Sequence, residues 1–427
     1  MTTFLAVVVV LCVMLALGFP VAFALGLAGA MGLLATGQSL EIAAEVLYSA
    51  LDNFVLLAIP LFVLMSRILM QTGMGEEIFA IINAFFRHLR GGLAAGTVVC
   101  CAFFAAISGS SVTNAAAVGL VAIPSLVKHG YPKQFAAGLV AAGGTLGILI
   151  PPSIPFIVYG AITDQSVGKL FVAGVLPGLV VTLLILLYAV FISRLRGYGA
   201  PEAPMPWTER VRRMAKGAGL LALPVLILGG IYAGVFTPTE ASGAGVLLTL
   251  LLAGAVYRRL GPKLIWQCTK DTVHVTVMIF AIIAGAKLFG HVSTTMQIPQ
   301  AFAQWIIDAG IGPFAFIAAT MLLLIFLGDF LDPISIILIV VPVLLPAMAV
   351  LKIDPIWFGV LLVINMELAN ITPPIGLNLF VIQSIQPDLT YDEVLRGTLP
   401  FMGVLVIALL LVWWQPELAT WLPAKAR

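Results

Sequence analysis

The chain has 427 residues, of which 61% are hydrophobic and only 9% charged, with a formal net charge of +2. A soluble domain carries about 25% charged residues, so a soluble fold, a nucleic-acid binder, a secreted disulfide scaffold and a disordered chain are excluded. A polytopic helical membrane protein remains. Gly (41) and Pro (26) are too frequent for plain spanning rods and point to broken helices.

In chain order, apolar runs predict helices over 3–17, 20–36, 53–71, 91–107, 112–127, 133–162, 170–193, 217–236, 242–257, 273–291, 313–327, 334–351, 356–385 and 396–415. The first run has no basic flank and no small-residue cleavage site, so it reads as a membrane helix rather than a signal peptide. The one long polar stretch, 194–216, carries Pro201, Pro204 and Pro206 and reads as a linker between two halves. Cys12, Cys100, Cys101 and Cys268 have no metal spacing and read as packing thiols, and none of the four histidines is assigned to a metal.

Charge sets the orientation. The linker, with six Lys or Arg, is placed in the cytoplasm, and sixteen of the 21 Lys and Arg fall on that side. Lys169, Lys287, Lys352, Lys425 and Arg427 fall outside, and both termini are expected on the outer face.

The halves read as repeats. Tyr131-Pro132, Pro151-Pro152 and Gly174-Val175-Leu176-Pro177 return as Asp354-Pro355, Pro373-Pro374 and Gly397-Thr398-Leu399-Pro400, at offsets of 223, 222 and 223. Earlier in the halves, Arg67 falls near the counterpart of Lys287, at an offset of 220. Each half then has five full crossings and one hairpin. An odd number turns the second half upside down, the architecture of secondary transporters.

Each half carries two breaks. Ile107-Ser108-Gly109-Ser110-Ser111-Val112-Thr113-Asn114 separates two apolar arms of about 15 residues, which at roughly 1.5 Å each pass the midplane of a ~30 Å hydrocarbon core and stop. A polar tip there must line a protein-enclosed cavity. Its counterpart is Gly328-Asp329-Phe330-Leu331-Asp332-Pro333, whose two carboxylates need a compensating partner such as a bound cation. The second break is the proline pair, 143–153 in one half and 370–378 in the other. Adjacent prolines free upstream carbonyls for a hard cation, and the half-helix that follows points its positive end at an anion. Two cation sites with a substrate pocket between them are therefore expected.

Plainer readings stand beside these. Serines and threonines in membrane helices often bond a carbonyl of their own helix. Asp332 could cap the helix that starts at Pro333. Glu367 could be a buried partner of a moving helix or a proton-sensitive group. Arg67 and Lys287 read as snorkelling anchors, with carboxylate binding by Lys287 as the alternative. No nucleophile–histidine pair or metal-ligand set falls at membrane depth, which argues against an enzyme.

The inverted halves, the SGSS-type tip, the ITPP-type break and the stretch Phe236-Thr237-Pro238-Thr239-Glu240-Ala241 resemble the large membrane subunit of tripartite ATP-independent periplasmic (TRAP) transporters over essentially the whole chain. More distantly, the chain is similar to sodium–dicarboxylate symporters of the ion-transporter superfamily. The resemblance implies an all-α polytopic protein of two inverted-topology repeats, each with full-span helices, a re-entrant hairpin and a discontinuous helix, working as an elevator. It implies sodium-coupled uptake of an organic acid across the bacterial inner membrane, with sodium as coupling ion and no other cofactor. The implied partners are a small four-helix membrane subunit and a periplasmic binding protein. A stand-alone sodium–carboxylate symporter and an ion channel are the rival functions.

By the same resemblance, Ser108, Ser110 and Asn114 with carbonyls around Gly147 and Pro151 hold one sodium. Gly328, Asp332, Asn370, Thr372 and Pro373 hold the other. Ser111, Ser153 and Asn378 meet the substrate, and Lys287, on its own charge and position rather than on the resemblance, is a further substrate-binding candidate. Stretches 75–89 and 299–309 resemble arm helices. The implied organisation is scaffold and arm (1–90), transport elements (91–193, with hairpin 91–127 and broken helix 133–163), linker (194–216), second scaffold and arm (217–312) and second transport elements (313–427, with hairpin 313–351 and broken helix 355–386).

Overall fold

The computed structural model describes residues 2–425, all of whose regular structure is helical; Arg427, expected on the outer face, lies outside the described residues. In the first half, α1 (Thr2–Ala16), α2 (Val21–Ala35), α3 (Glu41–Leu51) and α4 (Ala58–Gln71) precede a short amphipathic helix, α5 (Met74–Phe86). Then come α6 (Gly92–Ser108) and α7 (Ser111–Lys128), joined at the first polar tip, and the broken pair α8 (Lys133–Thr145) and α9 (Ile154–Thr163). The long helix α10 (Val167–Leu195) closes the half, and α11 (Trp207–Lys216) lies in the linker.

The second half runs through α12 (Ala218–Tyr232), α13 (Pro238–Leu251), α14 (Pro262–Thr295) and amphipathic α15 (Ile298–Asp308). The pair α16 (Pro313–Gly328) and α17 (Pro333–Val350) meets at the second tip. The broken pair α18 (Pro355–Ala369) and α19 (Leu377–Ile385), α20 (Tyr391–Trp414) and α21 (Glu417–Lys425) follow. The order of short amphipathic helix, tip pair, broken pair and long helix thus occurs twice, about 220 residues apart.

Local sequence explains the boundaries. Asp354 accepts the Ile356 and Trp357 N–H groups at 2.8 and 2.9 Å, with Pro355 in the first-turn position. Thr237 with Glu240, and Thr390 with Glu393, form reciprocal caps on α13 and α20. The arms of the tip pairs have 17, 18, 16 and 18 residues, so at ~1.5 Å each they are about 24 to 27 Å long, somewhat longer than the sequence suggests. Among the described residues, seven helices are long and apolar enough to cross a membrane by length and composition.

Helices α8 and α18, the halves before each break, are buried almost all round, as their lack of a polar face requires. Small residues let α8 approach α20: a Cβ on Gly138 would fall 2.0 Å from the Gly397 carbonyl oxygen. Helices α2 and α14 make a second close pair, with Gly29 and Gly32 against Leu288 and Val292.

Three helices are not expected from the sequence at all. Helix α3 is interrupted by Glu41 and Glu45. Helix α11 buries no side chain, and Glu209 supports it through Arg213 at 3.3 Å and Arg212 at 3.6 Å, a signal of charge spacing rather than of apolarity. Helix α21 is short and follows Pro416. The linker is also tied down: Glu202 donates its N–H to the Arg87 carbonyl at 3.0 Å, and its carboxylate meets the Arg87 guanidinium and His129 Nε2.

Candidate functional site

The first tip is built by a left-handed glycine and a serine cap. Gly109, at φ +61°, ends α6 in a conformation that strains other residues. Ser110 then starts α7, its hydroxyl accepting the Thr113 N–H at 3.4 Å, and the Ser108 hydroxyl points to the Ser110 carbonyl at 3.4 Å. The tip presses on the first break: Ile154 donates its N–H to the Gly109 carbonyl at 3.3 Å. Gly147 permits this closeness, since a Cβ there would lie 2.4 Å from the Ser110 carbonyl oxygen and 3.1 Å from the Asn114 Cβ. Asn114 is fully buried. Its Nδ2 reaches the carbonyls of Cys101, Gly143 and Gly144 at 3.1 to 3.4 Å, while its Oδ1 has no hydrogen-bond partner. Ser110, Asn114 and Gly147 are therefore brought together.

The second tip uses a carboxylate for the same cap. Asp332 Oδ2 accepts the Ile334 and Ser335 N–H groups at 3.0 and 3.2 Å, and Oδ1 accepts the Ser335 hydroxyl. The cap reading of Asp332 thus holds in the structure. Asp329 is buried, with its Oδ1 unpartnered. Gly328 sits against Ala369, at the end of α18, where a Cβ would be 2.4 Å from the Ala369 Cβ. The second break is spanned by the Asn378 N–H, which donates to the Asn370 carbonyl at 3.0 Å, and the Thr372 hydroxyl bonds back to Leu368 at 2.7 Å. The Pro151–Pro152 and Pro373–Pro374 peptides are both cis.

One cavity of about 340 Å³ joins these parts. Its wall takes Ser108, Ser110 and Ser111 from the first tip, Ile154 after the first break, Asp332 and Ile334 from the second tip, and Asn370 and Leu377 beside the second break. The N-termini of α7, α9, α17 and α19 all end on it. Each carries roughly half a positive charge, and such ends attract carboxylates; Asp332 already caps that of α17, which leaves those of α7, α9 and α19 without a carboxylate. The remaining wall comes from α4 and α14, and it includes Arg67. Arg67 forms no ion pair among the described residues. Arg67, with no ion pair, and the helix N-termini bring positive charge to the wall of the cavity, and Asp332 is the acidic side chain on it.

The other expected site residues lie elsewhere. Ser153 and Asn378 are fully buried behind the wall. Ser153 donates to the Ile148 carbonyl. Asn378 accepts the Ser111 hydroxyl at 2.9 Å and donates to the Ala141 carbonyl at 3.0 Å, linking both halves. Asn114, Gly147, Pro151, Gly328, Thr372 and Pro373 also stand off the cavity, beside the tips. Lys287 lines a separate pocket of about 300 Å³ between α3, α9, α14 and α17. Sequence reading puts Arg67 at the membrane edge, and the structure puts it on the cavity wall. Its signal was available: a lone cation in the apolar run of α4. Glu367 is fully buried in α18 with neither carboxyl oxygen partnered, one turn before Asn370.

Residues 8–418 match the model of the family described as tripartite ATP-independent periplasmic transporter, DctM component. The chain is 41% identical over 406 residues to the C4-dicarboxylate TRAP transporter large permease protein DctM of Pseudomonas aeruginosa, covering 93% of each. It is 38% identical to the protein of that name from Vibrio cholerae, covering 96% of this chain and 95% of the relative. Its fold is similar to that of the YdaH transporter of Alcanivorax borkumensis, with a TM-score of 0.61 at 16% identity over 90% of this chain and 89% of the other. The chain belongs to the TRAP transporter large permease family, a family of multi-pass membrane transporters and not of enzymes.

Proposed function

We propose that this permease takes up an organic acid, a four-carbon dicarboxylate in the first instance, by sodium symport across the bacterial inner membrane. The convergence of four helix N-termini and Arg67 on one cavity carries the reading, because that is a field for carboxylates. The names of the two similar permeases supply the four-carbon class. A small membrane subunit and a periplasmic binding protein complete the system, and both termini of this chain face the periplasm.

The substrate carboxylate sits against Ser111 and the helix ends, with Ser153 and Asn378 holding the wall from behind. One sodium is held by Ser108, Ser110 and Asn114 with carbonyls near Gly147 and Pro151. The unpartnered Asn114 Oδ1 supports this, since a hard cation would satisfy it. The second sodium is held around Asp332, with Gly328, Asn370, Thr372 and Pro373. Sodium offsets the Asp332 charge next to an anionic substrate, so the two ligands bind better together than apart.

The recurrent order of elements supports two inverted repeats around this cavity. The tip and broken pairs move as one body against α4 and α14, an elevator between the two faces. The test is uptake of labelled succinate into proteoliposomes holding both membrane subunits, with the binding protein outside. Uptake is expected to need an inward sodium gradient and to fall strongly in Ser108→Ala and Asp332→Ala. Uptake that ignores sodium overturns the coupling. Wild-type uptake by both variants overturns the site.

A further inference from the structure

Arg67 and Lys287 occupy matching positions in the two halves, about 220 residues apart. Their neighbours match as well. Val63, Ser66 and Arg67 on α4 line the tip cavity. Ile283, Ala286 and Lys287 on α14, the same three register positions, line the pockets on the other side. Lys287, like Arg67, forms no ion pair among the described residues.

The two places lie along one groove. On α14, Ile279 faces the tip cavity and Lys287 the second pocket, eight residues on. On α9, Ile154 and Ile162 stand in the same relation, and on α17 so do Ile334 and Pro342. Eight residues of helix are about 12 Å. A slide of α9 and α17 past α14 by that distance brings the tip cavity from Arg67 to Lys287.

We infer that Arg67 and Lys287 are alternate carboxylate contacts of the fixed helices, Arg67 binding the substrate carboxylate when the cavity opens to the cytoplasm and Lys287 when it opens to the periplasm. The inference rests on the elevator reading above. A cation at each end gives the substrate a charge-assisted hydrogen bond in both end states and none between them. The moving elements then need no basic side chain of their own, and the loaded cavity is held at each stop.

The test uses the complete membrane complex in proteoliposomes, with the binding protein outside and succinate as probe. Succinate exchange is measured while its concentration is varied on one face at a time. Arg67→Gln is expected to raise the half-saturating concentration on the cytoplasmic face about tenfold, the weight of one charge-assisted hydrogen bond, and to leave the other face within twofold. Lys287→Gln is expected to do the reverse. Arg67→Lys and Lys287→Arg should restore most of each loss, which separates charge from folding. Variants that match wild type on both faces, or that shift both faces alike, overturn the inference.

A cysteine pair tests the slide separately. Ile154→Cys and Ala286→Cys lie on different pockets here, about as far apart along α14 as the proposed slide, and are expected to cross-link during turnover. Absence of that cross-link counts against the elevator reading, and a wild type that carries no succinate counts against the dicarboxylate reading.

Discussion

The Ser111–Asn378 pair offers a quantitative test of how the cavity wall is held. Asn378 joins the first tip to the second broken helix and to α8, through bonds of 2.9 and 3.0 Å in a fully buried setting. Ser111→Ala deletes one bond and leaves the Asn378 Oδ1 buried without a donor, at a cost of about 1–3 kcal/mol. Asn378→Leu keeps the volume but removes both bonds and strands the Ser111 hydroxyl, at about 2–4 kcal/mol. The double variant leaves neither partner stranded, so it should cost less than the sum of the singles by about 1–3 kcal/mol. The assay is a double-mutant cycle of unfolding free energies for the purified complex in mixed micelles. Costs that add to within about 0.5 kcal/mol would refute the coupling and with it the view that this pair ties the two halves.

Other substitutions probe single features. Gly147→Ala places a methyl 2.4 Å from the Ser110 carbonyl oxygen, so it should destabilise by about 1–3 kcal/mol, displace the first tip and abolish succinate uptake. Asp332→Asn keeps a capping oxygen and should retain most of the stability, whereas Asp332→Ala should lose about 1 kcal/mol or more. Both should raise the sodium concentration needed for half-maximal uptake, which separates the cap from the ion site. Glu367→Gln should leave the thermal unfolding temperature unchanged or higher, because the native carboxyl oxygens have no partners to lose.

The breaks were legible because Gly, Pro and Ser clusters interrupt apolar runs: 107–114, 143–153, 328–333 and 370–378 all fall where helices end and restart. What hydropathy missed was set by charge spacing or by tertiary position. Helix α11 looked like plain linker because its helix is held by Glu209 and its arginines. Arg67 looked like an edge anchor because sequence distance from a helix end does not tell which wall a side chain faces. The site itself was half legible. Tip residues Ser108, Ser110, Ser111 and Asp332 do line one cavity, but Ser153 and Asn378 carry the same polar signature and lie behind it. A buried hydroxyl that bonds a carbonyl five residues back is indistinguishable in sequence from one that faces a ligand.

The cavity between the two tips, proposed as the substrate site, can be probed directly by labelling. Thr113→Cys on its wall, in a Cys12→Ser background, gives one thiol a view of that cavity and removes the exposed native one. The rate of its modification by a charged methanethiosulfonate reagent can be followed in the reconstituted complex. Modification is expected to block succinate uptake, and succinate with sodium is expected to slow it at least tenfold, with either ligand alone much less effective. A modification rate indifferent to both ligands, with uptake intact after labelling, would contradict the account.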